Sequence, residues 1–581
     1  MGAEWKPVLA LEELDPAGVR AVKVGGRQLA VGRDGEGAVF ALDNHCPHEG
    51  YPLAQGDLAG CTLTCAWHNW KFDVRDGSCI LGGEAVRAYP VRVRAGRVEV
   101  DLAEPDPAVL IPSLLASFEE GLRRHENDRA IRDGVRLLQA GYPAARLLAD
   151  VALYDARHAE YGSTHALAVA ADCGRLLGRY TGVEAMYAVA PALDLCGESN
   201  RRLPRRRQAE PIALTAADIE GAGAALAEAV EREDAERAEG LLLGAFDAGV
   251  ERATIEGWLY RVLSRHFTDF GHQLIYLVKA QELLGRVGPE YARDIHAALL
   301  YGTVLATRED TLPYMRGWFR RLGAVEPELE GVHRRARAQT PFDPAATRDA
   351  VLSGTPDEAF DAVWEPLREG VPGREVACAL VGAAAHRLDR FDLAIERDPL
   401  VAESWLWATH RLTFASAARN AQERLDAPEA LRFLFQAAAF VHGARALDVA
   451  LEQHVEPEPI EAEAGEVVAA ITDGERELAV ARVKGYLASE RPLDELARAL
   501  EDLCLADPLV RPIVVAHALK TTFAALEEVR ALAPDHPDRE RPLVAAVRFL
   551  ASPVIERRVA QTVATSIRWV ARGEIPRKLT Q

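Results

Sequence analysis

Asn44–Ser78 reads NHCPHEGYPLAQGDLAGCTLTCAWHNWKFDVRDGS. It contains Cys46-Pro-His48 and Cys65-Ala-Trp-His68, with sixteen residues between His48 and Cys65. Each pair lies where Gly and Pro interrupt short apolar alternations, so each is expected at the tip of a hairpin. Two thiols and two imidazoles in this order are metal ligands by residue type. Zinc also accepts Cys2His2, but its usual spacings are different.

Moving outward, VRAVKVGGRQLAVGRDGEGAVFALDN (19–44) alternates apolar and polar residues between glycine turns. YPVRVRAGRVEVDL (89–102) repeats the style as a hairpin around Ala95-Gly96. Cys-x-His followed by Cys-x-x-His, the Pro47–Gly50 turn, the WKFD strand Trp70–Asp73 and this closing hairpin resemble a Rieske ferredoxin domain over roughly residues 3–102. The resemblance implies a small all-β domain holding a [2Fe–2S] cluster, with Cys46 and Cys65 on one iron and His48 and His68 on the other. Two departures stand out. Asn69 replaces a glycine that approaches the cluster, and Tyr51 and Trp67 occupy the positions where high-potential members carry a further disulfide. Cys61 and Cys79 read as structural. The expected potential lies toward the low part of the range of roughly −150 to +300 mV.

AEPDPAVLIP (103–112) carries three prolines and reads as a linker. From there the chain is Ala/Leu/Glu/Arg-rich, with apolar residues at three- and four-residue intervals, which predicts a large all-α domain. We expect a Rieske domain at 1–102, the linker at 103–112, a first helical repeat at 113–325, a connecting segment at 326–375 and a second repeat at 376–581.

The repeat shows in the histidines. THALAVAADCGRLLGRYTGVEAM (164–186) aligns without a gap on THRLTFASAARNAQERLDAPEAL (409–431), and GHQLIYLVKAQEL (271–283) aligns on AHALKTTFAALEE (516–528). His165 to His272 and His410 to His517 both span 107 residues. A shared apolar pattern alone indicates only shared packing. Recurring imidazoles at matching positions point to one shared metal, against the alternative of four satisfied core histidines. His158, His266 and His296 do not repeat and read as structural or supporting.

The motifs GHQLIYLVKAQEL, WATHRLTFASAARN and AHALKTTFAAL resemble those of questin-oxidase-like proteins, spread over roughly 120–570. That resemblance implies an all-α non-haem iron oxygenase acting on aromatic or polycyclic small molecules. Its metal positions fall on His165, His272, His410 and His517, with Lys520. Lys520 follows His517 by three residues on one helix face. Beside a metal it should be neutral, reach solvent or be carboxylated by CO2. Lys279, seven residues after His272, is the weaker rival.

The chain has 581 residues and a net charge of −20, which argues against nucleic acid, and no apolar stretch reaches the roughly 20 residues a membrane span needs. RRLPRRR (201–207) reads as a solvated loop. The N-terminus lacks the layout of a signal peptide, so a cytoplasmic protein is expected. Together these features suggest an oxygenase whose cluster accepts electrons from a reductase and passes them to a mononuclear iron that activates O2 on a small molecule. Oligomerisation is open. The alternative is a Rieske electron carrier whose helical domain is a docking scaffold. Aromatics such as Tyr276, Tyr301, Trp405 and Trp407 are candidates to line a substrate pocket.

Overall fold

In a computed structural model the chain is described over residues 4–16, 18–337, 340–396, 404–450, 453–489, 491–506 and 511–552. It divides into two compact units, Met1–Pro143 and Ala144–Gln581.

The first unit contains three antiparallel sheets. One orders β1 (Trp5–Ala10), β10 (Arg97–Asp101) and β9 (Val91–Arg94). The second orders β2 (Val19–Val24), β3 (Arg27–Arg33) and β4 (Val39–Asp43), and the third runs β5 (Asp57–Ala59), β6 (Thr62–Thr64), β7 (Lys71–Asp73) and β8 (Cys79–Leu81). The period-two alternation of β3 and β4 explains the layering. Leu29, Val31 and Ala41 face a core shared with Tyr89, Val98 and Val100. Ala30, Phe40 and Leu42 point the other way, into a core with Leu63, Phe72, Cys46 and Cys65.

The linker expected over 103–112 is shorter than its prolines suggested. Asp106 accepts from the Ala108 N–H and caps α1 (Pro107–Arg124), with Pro107 at the first helical position where the missing N–H costs nothing. Helix α2 (Asn127–Gln139) follows, and the α1–α2 hairpin falls within the first unit rather than with the helices after it. The RRLPRRR stretch also differs from expectation at one residue. Arg206 is buried, pairs with Glu239 at 2.6 Å and lies over the Tyr301 ring.

The second unit is helical. At its centre are α3 (His165–Leu176), α4 (His272–Val287), α5 (Ser404–Arg424) and α6 (Pro512–Ala531). They close a ring in which α3 packs on α4, α4 on α5, α5 on α6 and α6 on α3. The repeat maps α3 onto α5 and α4 onto α6. All four helices run in the same direction, because the residues that meet at one level recur at matching offsets. The histidines meet in one layer. Seven to ten residues further along, Asp172 meets Lys279, Arg175 meets Glu282, and Asn420 and Arg419 meet Glu527. No helix among the described residues is long and apolar enough to cross a membrane.

Candidate functional site

The two cluster loops share one backbone form. The Cys46 N–H donates to the Tyr51 carbonyl and the Gly50 N–H returns to the Cys46 carbonyl. The Cys65 N–H likewise donates to the Trp70 carbonyl, and the Asn69 N–H to the Cys65 carbonyl. Gly50 and Asn69 therefore hold equivalent left-handed positions, at φ 75° and 62°. Asparagine is among the few side chains that tolerate this region, which accounts for the departure at residue 69.

Both thiols are buried, and burial pushes the Cys46 thiol up to about 12. The His48 and His68 rings stand edge to face at 4.5 Å. His48 Nδ1 is buried with no hydrogen-bond partner among the described residues. Orphaned buried nitrogen beside two buried thiols suits an iron–sulfur cluster and little else. Trp70 stacks on His48 at 4.7 Å and 9°. Gly82 permits this, since a Cβ there would stand 2.5 Å from the indole. Tyr51 and Trp67 stack on each other at 5.5 Å. An aromatic pair thus fills the place where a disulfide would tie the two loops.

In the helical unit the four repeated histidines converge. His272 Nε2 lies 2.7 Å from His410 Nε2 and 3.2 Å from His165 Nε2, and His517 Nε2 is 3.5 Å from His410 Nε2. Their opposite nitrogens are engaged. His410 Nδ1 bonds the Leu406 carbonyl at 2.5 Å, and His517 Nδ1 the Ile513 carbonyl at 2.7 Å. A carbonyl only accepts, so Nδ1 carries the proton and Nε2 presents a bare lone pair. The Tyr276 hydroxyl is 3.1 Å from His165 Nδ1, and His272 bonds the Asp269 backbone. Lone pairs packed this closely repel unless a cation lies among them. Burial, and then the Lys520 ammonium, hold all four imidazoles below their ordinary range, His272 at about 3. Neutral imidazole is the form that ligates.

Local sequence sets each histidine. Thr164 caps α3, and its hydroxyl and N–H both donate to the buried Asp155 carboxylate, at 2.6 and 2.9 Å. His272 opens α4 after three left-handed residues, Asp269, Phe270 and Gly271. The buried Glu309 carboxylate accepts from the Phe270 N–H at 2.6 Å and holds that turn. Phe270 lies 6.4 Å from the His272 and His410 rings and 6.2 Å from Trp407.

Lys520 is buried, with Nζ 3.4 Å from His410 Nε2. Burial lowers it to about 7. Lys279 does not reach the histidines. It pairs with Asp172 at 2.8 Å and Glu282 at 3.2 Å, one layer away. The unrepeated histidines serve other ends. His266 bridges Asp310 and Glu231, while His158 and His296 bond the carbonyls four residues before them. Of the candidate pocket aromatics, Trp405 packs against Phe391 and Phe549 and Tyr301 under Arg206, whereas Tyr276 and Trp407 face the histidine layer or its neighbours. Asp172, Arg175, Glu282 and Asn420 were missed in the sequence, and Lys279 was read only as a rival ligand. The signal was present, since the 107-residue spacing also separates Asp172 from Lys279, Arg175 from Glu282 and Asn420 from Glu527.

Residues 4–92 match the Rieske [2Fe–2S] domain family. A naphthalene 1,2-dioxygenase ferredoxin component from Pseudomonas aeruginosa is 33% identical over 105 residues, 18% of this chain and 100% of that protein. A 4β-methylsterol monooxygenase from Methylococcus capsulatus is 32% identical over 129 residues, 19% of this chain and 35% of that protein. Among solved structures, apo dicamba monooxygenase is similar at 28% identity, covering 18% of this chain and 34% of that one with a TM-score of 0.17. The chain thus spans about a third of these two oxygenases and the whole of the ferredoxin. Through its N-terminal domain it belongs to the Rieske [2Fe–2S] proteins.

Proposed function

We propose that the chain is a Rieske-coupled non-haem iron oxygenase. Cys46, His48, Cys65 and His68 would hold the cluster, which would supply single-electron transfer from a reductase, and His165, His272, His410 and His517 would hold one iron that receives those electrons. The observation that carries this reading is the convergence of Nε2 lone pairs whose partner nitrogens are engaged elsewhere. Iron bound there would supply O2 activation. Second-nitrogen contacts to the Leu406 and Ile513 carbonyls fix the tautomers of His410 and His517, and the Tyr276 hydroxyl orients the His165 ring. Lys520 supplies a neutral amine, or a carboxylated anionic ligand, on one side of the centre. Phe270 and Trp407 offer an aromatic wall near it. An aromatic or polycyclic small molecule as substrate follows from the likeness to questin-oxidase-like proteins.

A second reading has its own observation. A relative covered along its full length is a ferredoxin component, so the chain is alternatively an electron carrier with a helical scaffold. Iron analysis separates the two. The oxygenase holds about three irons per chain, falling to two in His410→Ala with the Rieske EPR signal intact. Two irons in the wild type would leave the carrier.

A further inference from the structure

Arg132 stands on α2, beyond the residues that match the Rieske family, and its guanidinium reaches the cluster loop. Nη1 donates to the backbone carbonyl of His48 at 3.2 Å and to Asp128 Oδ2 at 3.0 Å. Nε donates to Glu84 Oε1 at 3.2 Å, and Nη2 donates to Glu84 Oε2. Glu84 is 3% exposed. It follows the Gly82-Gly83 turn that lets Trp70 lie against His48, so one short segment serves both faces of the loop. Arg136 pairs with the same carboxylate at 3.0 Å and with Asp133 at 2.8 Å.

We propose that Arg132 is a positioning residue for the cluster. It fixes the His48 loop and raises the reduction potential by holding a positive charge against the ligand's own carbonyl. This rests on the cluster reading and is independent of the metal proposed in the helical unit. Reduction adds one electron, and so one negative charge, to the cluster. A fixed cation nearby favours the reduced form over the oxidised one. Glu84 opposes this, but the Nε/Nη2 edge of the guanidinium faces the carboxylate while Nη1 turns to His48. Asp128 shares Nη1, and Glu49 of the loop stands 3.9 Å from His68 Nδ1, so Arg132 is the positive charge set among these carboxylates at the His48 carbonyl. Arginine is suited to the task because its fork serves two acceptors at once, which an ammonium on a flexible stem does less well. The α1–α2 hairpin thereby becomes part of the cluster's electrostatic setting.

The test is an EPR-monitored redox titration of the full-length protein and of R132Q, R132K and R136Q, with spin quantitation of the reduced cluster. R132Q should keep its cluster and shift to a lower midpoint. R132K should shift the same way by less, and R136Q by less than R132Q. A fully loaded R132Q at the wild-type midpoint overturns the proposal, as does an R136Q shift as large as that of R132Q. If R132Q fails to load, R132K decides, and a wild-type midpoint there overturns it. A wild-type chain with no Rieske signal would overturn the cluster and this proposal together.

Discussion

Replacing Lys279 by methionine removes one charge from the ionic layer beneath the histidines and keeps the length of the side chain. Lys279 is 6% exposed, and its partner Asp172 is fully buried at 2.8 Å. The other Asp172 oxygen, Oδ2, is buried with no hydrogen-bond partner among the described residues, so Lys279 carries most of the compensation for that charge. Breaking a buried pair from one side costs about 3–5 kcal/mol, whereas replacing both partners by apolar groups is often close to neutral. The second half of the repeat already holds such a replacement, because Ala417 and Ala524 stand where Asp172 and Lys279 stand in the first. K279M should therefore be costly and D172L/K279M much less so. For a helical unit of about 440 residues, each kcal/mol moves the midpoint by roughly 1 °C. Calorimetry should show the helical transition lowered by roughly 3–5 °C in K279M, and by less than about 2 °C in the double variant. The reasoning fails if the double variant melts as low as the single one, or if K279M melts with the wild type.

Gly271→Ala should abolish binding of the iron proposed for the helical unit while leaving the Rieske EPR signal unchanged. A Cβ at φ +83° would stand 2.2 Å from the Phe414 ring and displace His272, at a cost of about 1–3 kcal/mol from backbone strain alone; retained iron in G271A would refute this. His266 gives a pH dependence. Burial works against its charge, but Asp310 and Glu231 outweigh it and hold its pKa above the usual value. A folded pKa above the unfolded one gives stability that is complete below about 6.5 and is lost as pH rises through the folded value. The difference in thermal midpoint between wild type and His266→Asn should therefore shrink steadily from pH 6 to 9, and a difference that grows over that range would contradict the assignment.

The candidate cluster residues could be picked out because they are local. Both pairs lie within 23 residues, Cys46 to His68, and their spacing is set by two hairpin tips. The four helical histidines were legible for the opposite reason. They are far apart, but the duplication preserved their separation. What escaped was chemistry that changes partners. Tyr51 and Trp67 were visible only as a missing disulfide, and their stacking depends on side-chain geometry that no spacing encodes. The start of α1 was hidden by prolines that read as linker, although Pro107 is suited to the start of a helix. Lys279 looked like a rival ligand because it shares a helix face with His272. Seven residues are two turns, or about 10 Å of rise, so it belongs to the next layer.

The two halves of the repeat agree at the histidines and disagree beneath them, and that disagreement gives the centre a direction. Four imidazoles from two equivalent halves would surround an ion symmetrically, leaving no side distinguished. Lys520 breaks the equivalence, since its counterpart in the first half is Ile275. The second half lacks the Asp172–Lys279 pair, and beside the alanines that replace it is a cavity of about 20 Å³ bordered by Lys520, Ser416, Asn420 and Glu527 and, from the first half, by Lys279 and Glu282. That is room for one water among groups able to bond it. In the first half the corresponding volume is filled by a salt bridge. The small residues at 417 and 524 thus leave room for a single polar molecule in a cavity that Lys279 and Lys520 both border. The duplication is thus asymmetric beneath the histidines, with a salt bridge at Asp172 and Lys279 in the first half and alanines at 417 and 524 in the second.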